Sequence, residues 1–138
     1  MRKIWRISIH CSATSTGNAI SIDKYHRQVK RWRAIGYHFV INNGKQLSCL
    51  DGSIEVGRPL NKIPAAVKGY NSGMIAICLI GSKKSDFTKK QFESLNRLLK
   101  ELKAEYNIKN RNIKGHRDYP RVKKTCPCFD VKSKLKLN

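Results

Sequence analysis

Acidic side chains are scarce in this sequence. Asp and Glu total 9 against 29 Lys and Arg, which leaves a formal net charge of +20 and a pI of about 10.2. Such an imbalance excludes indifference to polyanions and leaves nucleic acid, an anionic membrane or a negatively charged cell wall as partner classes. Long apolar runs are also missing. The longest, residues 74–80, falls far short of the ~20 residues of a membrane span, so no transmembrane segment is expected. Arg6 and His10 interrupt what would be the apolar region of a signal peptide, so synthesis in the cytoplasm without an export signal is expected. The five cysteines (Cys11, Cys49, Cys78, Cys126, Cys128) lack even number and framework spacing, which favours reduced thiols over a secreted disulfide scaffold. No strand interleaves aromatic with basic residues and no motif for a groove-entering helix is present, so specific nucleic-acid recognition is not expected.

What remains is a folded, basic domain. Its 138 residues suit one domain, 1–138, and a hydrophobic fraction of 40% argues against disorder. Alternating apolar residues predict a strand over 4–9, ending at His10, followed by a polar loop over 12–19. Ser21 reads as an N-cap, and Ile22, Tyr25, Val29 and Trp32 recur near helical spacing up to Gly36, with His26 as a structural residue. The opposite face of that helix, with Lys24, Arg27, Lys30, Arg31 and Arg33, reads as solvated. Residues 36–41 are rich in β-branched and aromatic side chains, and turns at Asn43-Gly44 and Asp51-Gly52 predict a three-strand antiparallel meander through 46–50 and 53–56. Along the first of these strands Tyr37 and His38 face opposite ways. Residues 57–71 form a long loop, of the kind that usually carries function. The run 74–80 then predicts a strand buried on both faces. Thr88 and Gln91 make a capping box before a stripe of Phe92, Leu95, Leu98, Leu99 and Leu102, and residues 112–114 form a short strand leading into His116.

The stretch GHRDYPRVKKTCPCFD, 115–130, concentrates the chemistry. Its prolines and basic residues forbid a long helix, so it is a loop that presents side chains. His116 and Cys126 offer an imidazole and a thiolate, both zinc donors, but two donors do not hold the ion. His10, at its own strand end, is the best third donor. His10, His116 and Cys126 would leave one tetrahedral position open to water, as catalytic zinc sites do.

The ordered motifs HCSAT (10–14), GYHFVI (36–41), VGR (56–58), KGYN (68–71), ICLIG (77–81), GHRD (115–118) and KTCPCFD (124–130) resemble the zinc-dependent N-acetylmuramoyl-L-alanine amidases of the phage T7 lysozyme type, relatives of the peptidoglycan recognition proteins. The resemblance implies a single α/β domain with a central mixed β-sheet flanked by helices, and a Zn2+ in a surface groove held by His10, His116 and Cys126. It implies that Tyr37 and Lys124 act beside the metal in amide hydrolysis, and that Arg58, Lys68, Gly69 and Asn71 line the substrate groove. The implied substrate is peptidoglycan, cut between N-acetylmuramic acid and L-alanine, by a phage or prophage endolysin acting as a monomer and reaching the cell wall after release or delivery. An anionic wall also offers a function for the positive charge.

Three departures from the family pattern stand out. Ala66 occupies a place where a histidine is common. The segment from His116 to Cys126 is slightly long, leaving Lys123 and Lys124 as alternatives for one role. Cys128 stands where a small residue is usual and is a spare ligand, a redox partner or a packed thiol. A non-catalytic peptidoglycan-binding module and a regulatory binder of a polymerase or nucleic acid are the competing readings.

Overall fold

The computed structural model describes residues 2–135. Five strands build one mixed sheet: β1 (Arg6–Cys11), β2 (Phe39–Ile41), β3 (Ile54–Val56), β4 (Met74–Leu79) and β5 (Ile113–Gly115), in the spatial order β3-β2-β4-β1-β5. β1 pairs in parallel with both β4 and β5, and β2 is parallel to β4, so only the edge strand β3 runs the other way. The fold is the single α/β domain expected, with helices α1 (Ala19–Gln28) and α2 (Lys89–Tyr106) and a short α3 (Val131–Lys134).

The apolar run of β4 is explained by its central place, where every residue is buried. Period-two alternation in β1 divides its side chains between two environments. Ile7 and Ile9 join the main core with Ile75, Ile77 and Leu79, under Leu95, Leu98, Leu99 and Leu102 of α2. Each leucine buried this way contributes roughly 2 kcal/mol. Ser8 and His10 point to the other face. Thr88 and Gln91 cap α2 reciprocally as expected, and Gln91 also donates from Nε2 to the carbonyls of Ile41 and Ile80, docking the helix start on the sheet.

Two expectations need correction. Helix α1 begins earlier and ends sooner than its apolar spacing suggests. Asn18 is the N-cap and Ser21 is the N3 partner of its capping box. The helix stops at Gln28 because the following chain folds back on the helix's own side chains. Arg31 takes φ 61°, Asp23 Oδ1 accepts from Ile35 N–H at 2.9 Å and His26 Nδ1 accepts from Gly36 N–H at 2.9 Å. The meander is likewise absent, since β2 pairs directly with β3 and residues 46–50 form turns. Ser48 adopts φ 68°, Cys49 N–H closes on Gln46 O at 3.1 Å, and Leu47 and Leu50 are 88% and 80% exposed. The loop is fastened instead by Lys45 on Asp86 at 2.8 Å and by Asn43 donating to the carbonyls of Ser15 and Asp86.

Candidate metal centre and groove

Adjacent parallel strands end at the same edge of a sheet, and clefts beyond that edge are where open α/β sheets place their sites. β1 and β5 obey this rule. His10 is the penultimate residue of β1, His116 follows β5 directly, and their ring centroids lie 4.7 Å apart. Cys126 joins them from the loop beyond. One ligand atom from each of His10, His116 and Cys126 lies within 4.8 Å of the others, a gathering that a small closure would fit to the 2.0–2.3 Å bonds of a tetrahedral ion.

Each donor is braced by its neighbours. His10 is buried, and its Nε2 lies 2.7 Å from Ser8 Oγ, whose hydroxyl in turn points to Met74 Sδ at 3.0 Å. When Nδ1 gives its lone pair to a metal, Nε2 carries the ring proton and donates it to Ser8 Oγ, whose own hydroxyl then turns to the sulfur. Asp118 Oδ2 accepts from Gly115 N–H at 2.9 Å, tightening the 3-10 turn His116–Asp118 that carries the second histidine. Cys126 is pinned to both partner segments. Cys11 N–H donates to its sulfur at 3.1 Å, and Arg117 N–H donates to its carbonyl at 2.8 Å.

The electrostatics suit a cation despite the chain's charge. Burial, then the neighbouring His116 and Lys124, hold the His10 imidazole well below its ordinary pKa; burial and then Lys124 do the same for His116. Both rings are therefore neutral, the form that ligates metal. The Cys126 thiol is pushed up by its hydrogen bond with Cys11 and by burial, so its proton leaves only when another cation replaces it. Burial, followed by the Cys78, Cys126 and Cys11 sulfurs, also raises Tyr37 well above the usual phenol value, keeping its O–H as a donor.

Tyr37 stacks against the cluster, its ring centroid 5.0 Å from that of His10 and 5.6 Å from that of His26. β2 starts only at Phe39, later than the strand expected over 36–41, and His38 just before it faces away from Tyr37, with Nδ1 accepting from Ala76 N–H and Nε2 donating to Lys62 O. Two connected depressions meet at the cluster, an open groove of about 1280 Å³ and a pocket of about 660 Å³ that share Lys30, Trp32, Ala65, Ala66, His116 and Lys124. Lys124 borders both and acts on both histidines, whereas Lys123 lines only the outer groove. None of the side chains lining either depression is acidic.

Lys68, Gly69 and Asn71 all line the groove. Asn71 also holds its wall in shape, its Oδ1 accepting from Ala66 N–H and Val67 N–H at 2.9 Å each. Arg58 is placed differently. Its guanidinium donates to the carbonyls of Ile35, Ile63 and Ala34, tying two loops together behind the site. Ser8 and Asp118 were not singled out from sequence as positioning residues, although Ser8 stands two residues before His10 on the same strand face and that spacing was the available signal. Trp32, whose spacing suggested the apolar stripe of a helix, and Arg121, inside the 115–130 loop, also enter the groove.

Comparisons with known proteins agree with this geometry. A family described as N-acetylmuramoyl-L-alanine amidase matches residues 1–129. The endolysin of Klebsiella phage KP32 is 34% identical over 136 residues, covering 92% of this chain and 82% of the relative. The endolysin of Escherichia phage T7 is 33% identical over 135 residues, covering 91% and 82%. The solved structure of the N-acetylmuramoyl-L-alanine amidase LysC from Clostridium intestinale superposes with a TM-score of 0.81 at 28% identity, covering 99% of this chain and 88% of that one.

Proposed function

This chain belongs to the N-acetylmuramoyl-L-alanine amidase family of peptidoglycan hydrolases, and we propose that it works as a zinc enzyme of the endolysin kind, with His10, His116 and Cys126 as ligands and Tyr37 and Lys124 as catalytic residues. The observation that carries this reading is the convergence of two neutral imidazoles and a thiol beside a buried phenol and a lysine, at the meeting point of a groove and a pocket. The donor set fits zinc: two nitrogens and a sulfur make a three-ligand site with one position left for chemistry.

When bound, zinc supplies Lewis acidity, lowering the pKa of water toward ~7 and polarising a carbonyl. The protein's own groups do the rest. Ser8 fixes the tautomer of His10, and the turn closed by Asp118 fixes the direction of His116. Tyr37, kept protonated by burial, donates its O–H to the oxygen of the scissile amide as negative charge develops there. Lys124 adds a positive charge on the groove side and stabilises the same oxygen. Hydrolysis adds water to the lactyl carbonyl carbon, breaks the carbon–nitrogen bond and leaves a carboxylate on the muramic acid and a free amine on L-alanine.

The groove cations Lys30, Lys68, Arg121 and Lys123 match the carboxylates of the stem peptide and draw the enzyme to an anionic wall. Lys68 and Gly69 would touch substrate, while Asn71 and Arg58 shape the loops that present them. No described helix is long and apolar enough to cross a membrane. The wall is the proposed place of action, with the protein a monomer.

The test is release of new alanine N-termini from purified peptidoglycan by the native protein, by Cys126→Ser and by Tyr37→Phe. The reading requires amines from the native protein, their loss with chelator, their return with zinc, and a sharp fall in both variants. A zinc-loaded protein that binds the wall yet releases no amines from several peptidoglycan types would overturn it.

A further inference from the structure

Beside the metal cluster lies a second arrangement of sulfur that the amidase chemistry does not use. Cys11 ends β1 immediately after His10, and Cys128 lies two residues past Cys126 in the loop. Their sulfurs are 3.9 Å apart, across a sequence separation of 117 residues. All five cysteines are free thiols. Cys78 is enclosed in the central strand β4, and Cys49 is engaged by the side chain of Asn18, the N-cap of α1. Cys126 already directs its sulfur toward the two histidines.

We propose that Cys11 and Cys128 form a dithiol site that closes to a disulfide in oxidising surroundings, tethering the loop that carries Cys126 to the strand that carries His10. Closure needs the sulfurs to approach by about 2 Å, to the ~2.05 Å of a disulfide. Cys128 is placed to make that movement, being in a loop and partly exposed, with its sulfur 3.4 Å from Ser82 O, whereas Cys11 is buried and held in the sheet. The oxidant is a small disulfide such as glutathione disulfide. The Cys128 sulfur displaces one thiol from it to give a mixed disulfide; the Cys11 sulfur then attacks Cys128 and releases the second thiol, so two protein thiols are oxidised as one disulfide is reduced. The cross-link closes a loop of more than a hundred residues, for which restriction of the unfolded chain is large. It fixes two ligand-bearing segments relative to each other without consuming a ligand.

The experiment treats the zinc-supplemented full chain with glutathione disulfide, blocks remaining thiols and maps linked peptides by mass spectrometry, with zinc content and thermal unfolding measured in parallel. The expected result is a loss of two free thiols, one linked peptide joining Cys11 to Cys128, retained zinc, and a rise in the unfolding midpoint that dithiothreitol reverses. Cys49→Ser should cross-link as the native chain does, and Cys128→Ser should not. A disulfide that fragmentation places on the Cys126 sulfur instead of Cys128, an unchanged thiol count, or a mixed disulfide that persists at Cys128 would each overturn the proposal. The thiol count and map are read without reference to amidase activity, so failure here leaves the functional reading untouched.

Discussion

Ser8 Oγ sits 2.7 Å from Nε2 of His10, two residues along the same face of β1, and lies 3.0 Å from Met74 Sδ on its other side. Removing that hydroxyl leaves the ring unbraced and its tautomer unspecified. Ser8→Ala should therefore weaken zinc binding about 10- to 100-fold, as loss of an outer hydrogen bond to a ligand usually does. Competition with a chromophoric chelator measures this. An unchanged affinity would show that the hydroxyl does not orient the ligand.

The two adjacent lysines should separate cleanly. Lys124 faces both histidines and both depressions, so Lys124→Ala should lower amine release about 10²- to 10³-fold, the usual effect of losing one group that stabilises the oxyanion. Lys123→Ala should change it by no more than a few-fold, since Lys123 lines only the outer groove. In metal-free protein the nearby cation holds the His116 pKa down, so Lys124→Ala must raise it. NMR titration of the imidazole reads that sign directly.

Asn71 supports two backbone donors in the groove wall. Asn71→Ala leaves the N–H groups of Ala66 and Val67 without that acceptor, at a cost of about 1–3 kcal/mol in local stability. Amide hydrogen exchange should accelerate at residues 66 and 67 while the core under α2 keeps its protection. Uniform acceleration across the sheet would instead mean global destabilisation.

His38 should make the fold acid-sensitive. It is fully buried as the neutral tautomer, with Nδ1 committed to Ala76 N–H and Nε2 to Lys62 O, and burial lowers its pKa to about 4. The unfolded chain takes up a proton near pH 6.5, but the folded one resists until about 4. Stability is therefore intact above pH 6.5 and falls by about 3 kcal/mol as pH drops toward 4. Urea unfolding at several pH values should show this slope, and His38→Gln, though less stable at pH 7, should lose that component of it.

Local signals suffice where one short-range interaction dominates. The β4 run of residues buried on both faces, the Thr88–Gln91 capping box and the leucine stripe of α2 each depend on residues close in sequence, and each is present. The segment 46–50 misled because its composition suits a strand, yet Asn43 and Lys45 fasten the loop to Asp86, more than 40 residues away. Helix α1 ended early for a similar reason, as Asp23 and His26 engage backbone beyond the helix.

By itself the sequence determined the donor chemistry, the mixed α/β character and the large positive charge, because residue type, short-range periodicity and net charge need no partner to be expressed. Tertiary structure decided which donors meet. Parallel pairing of β1 with β5 brings His10 to His116, and the loop beyond returns Cys126 to Cys11. The same folding set Lys124 apart from Lys123, turned Arg58 onto carbonyls and laid Cys128 against Cys11. These contacts join residues tens to more than a hundred positions apart, and strand order and loop path, which no local pattern encodes, set their distances.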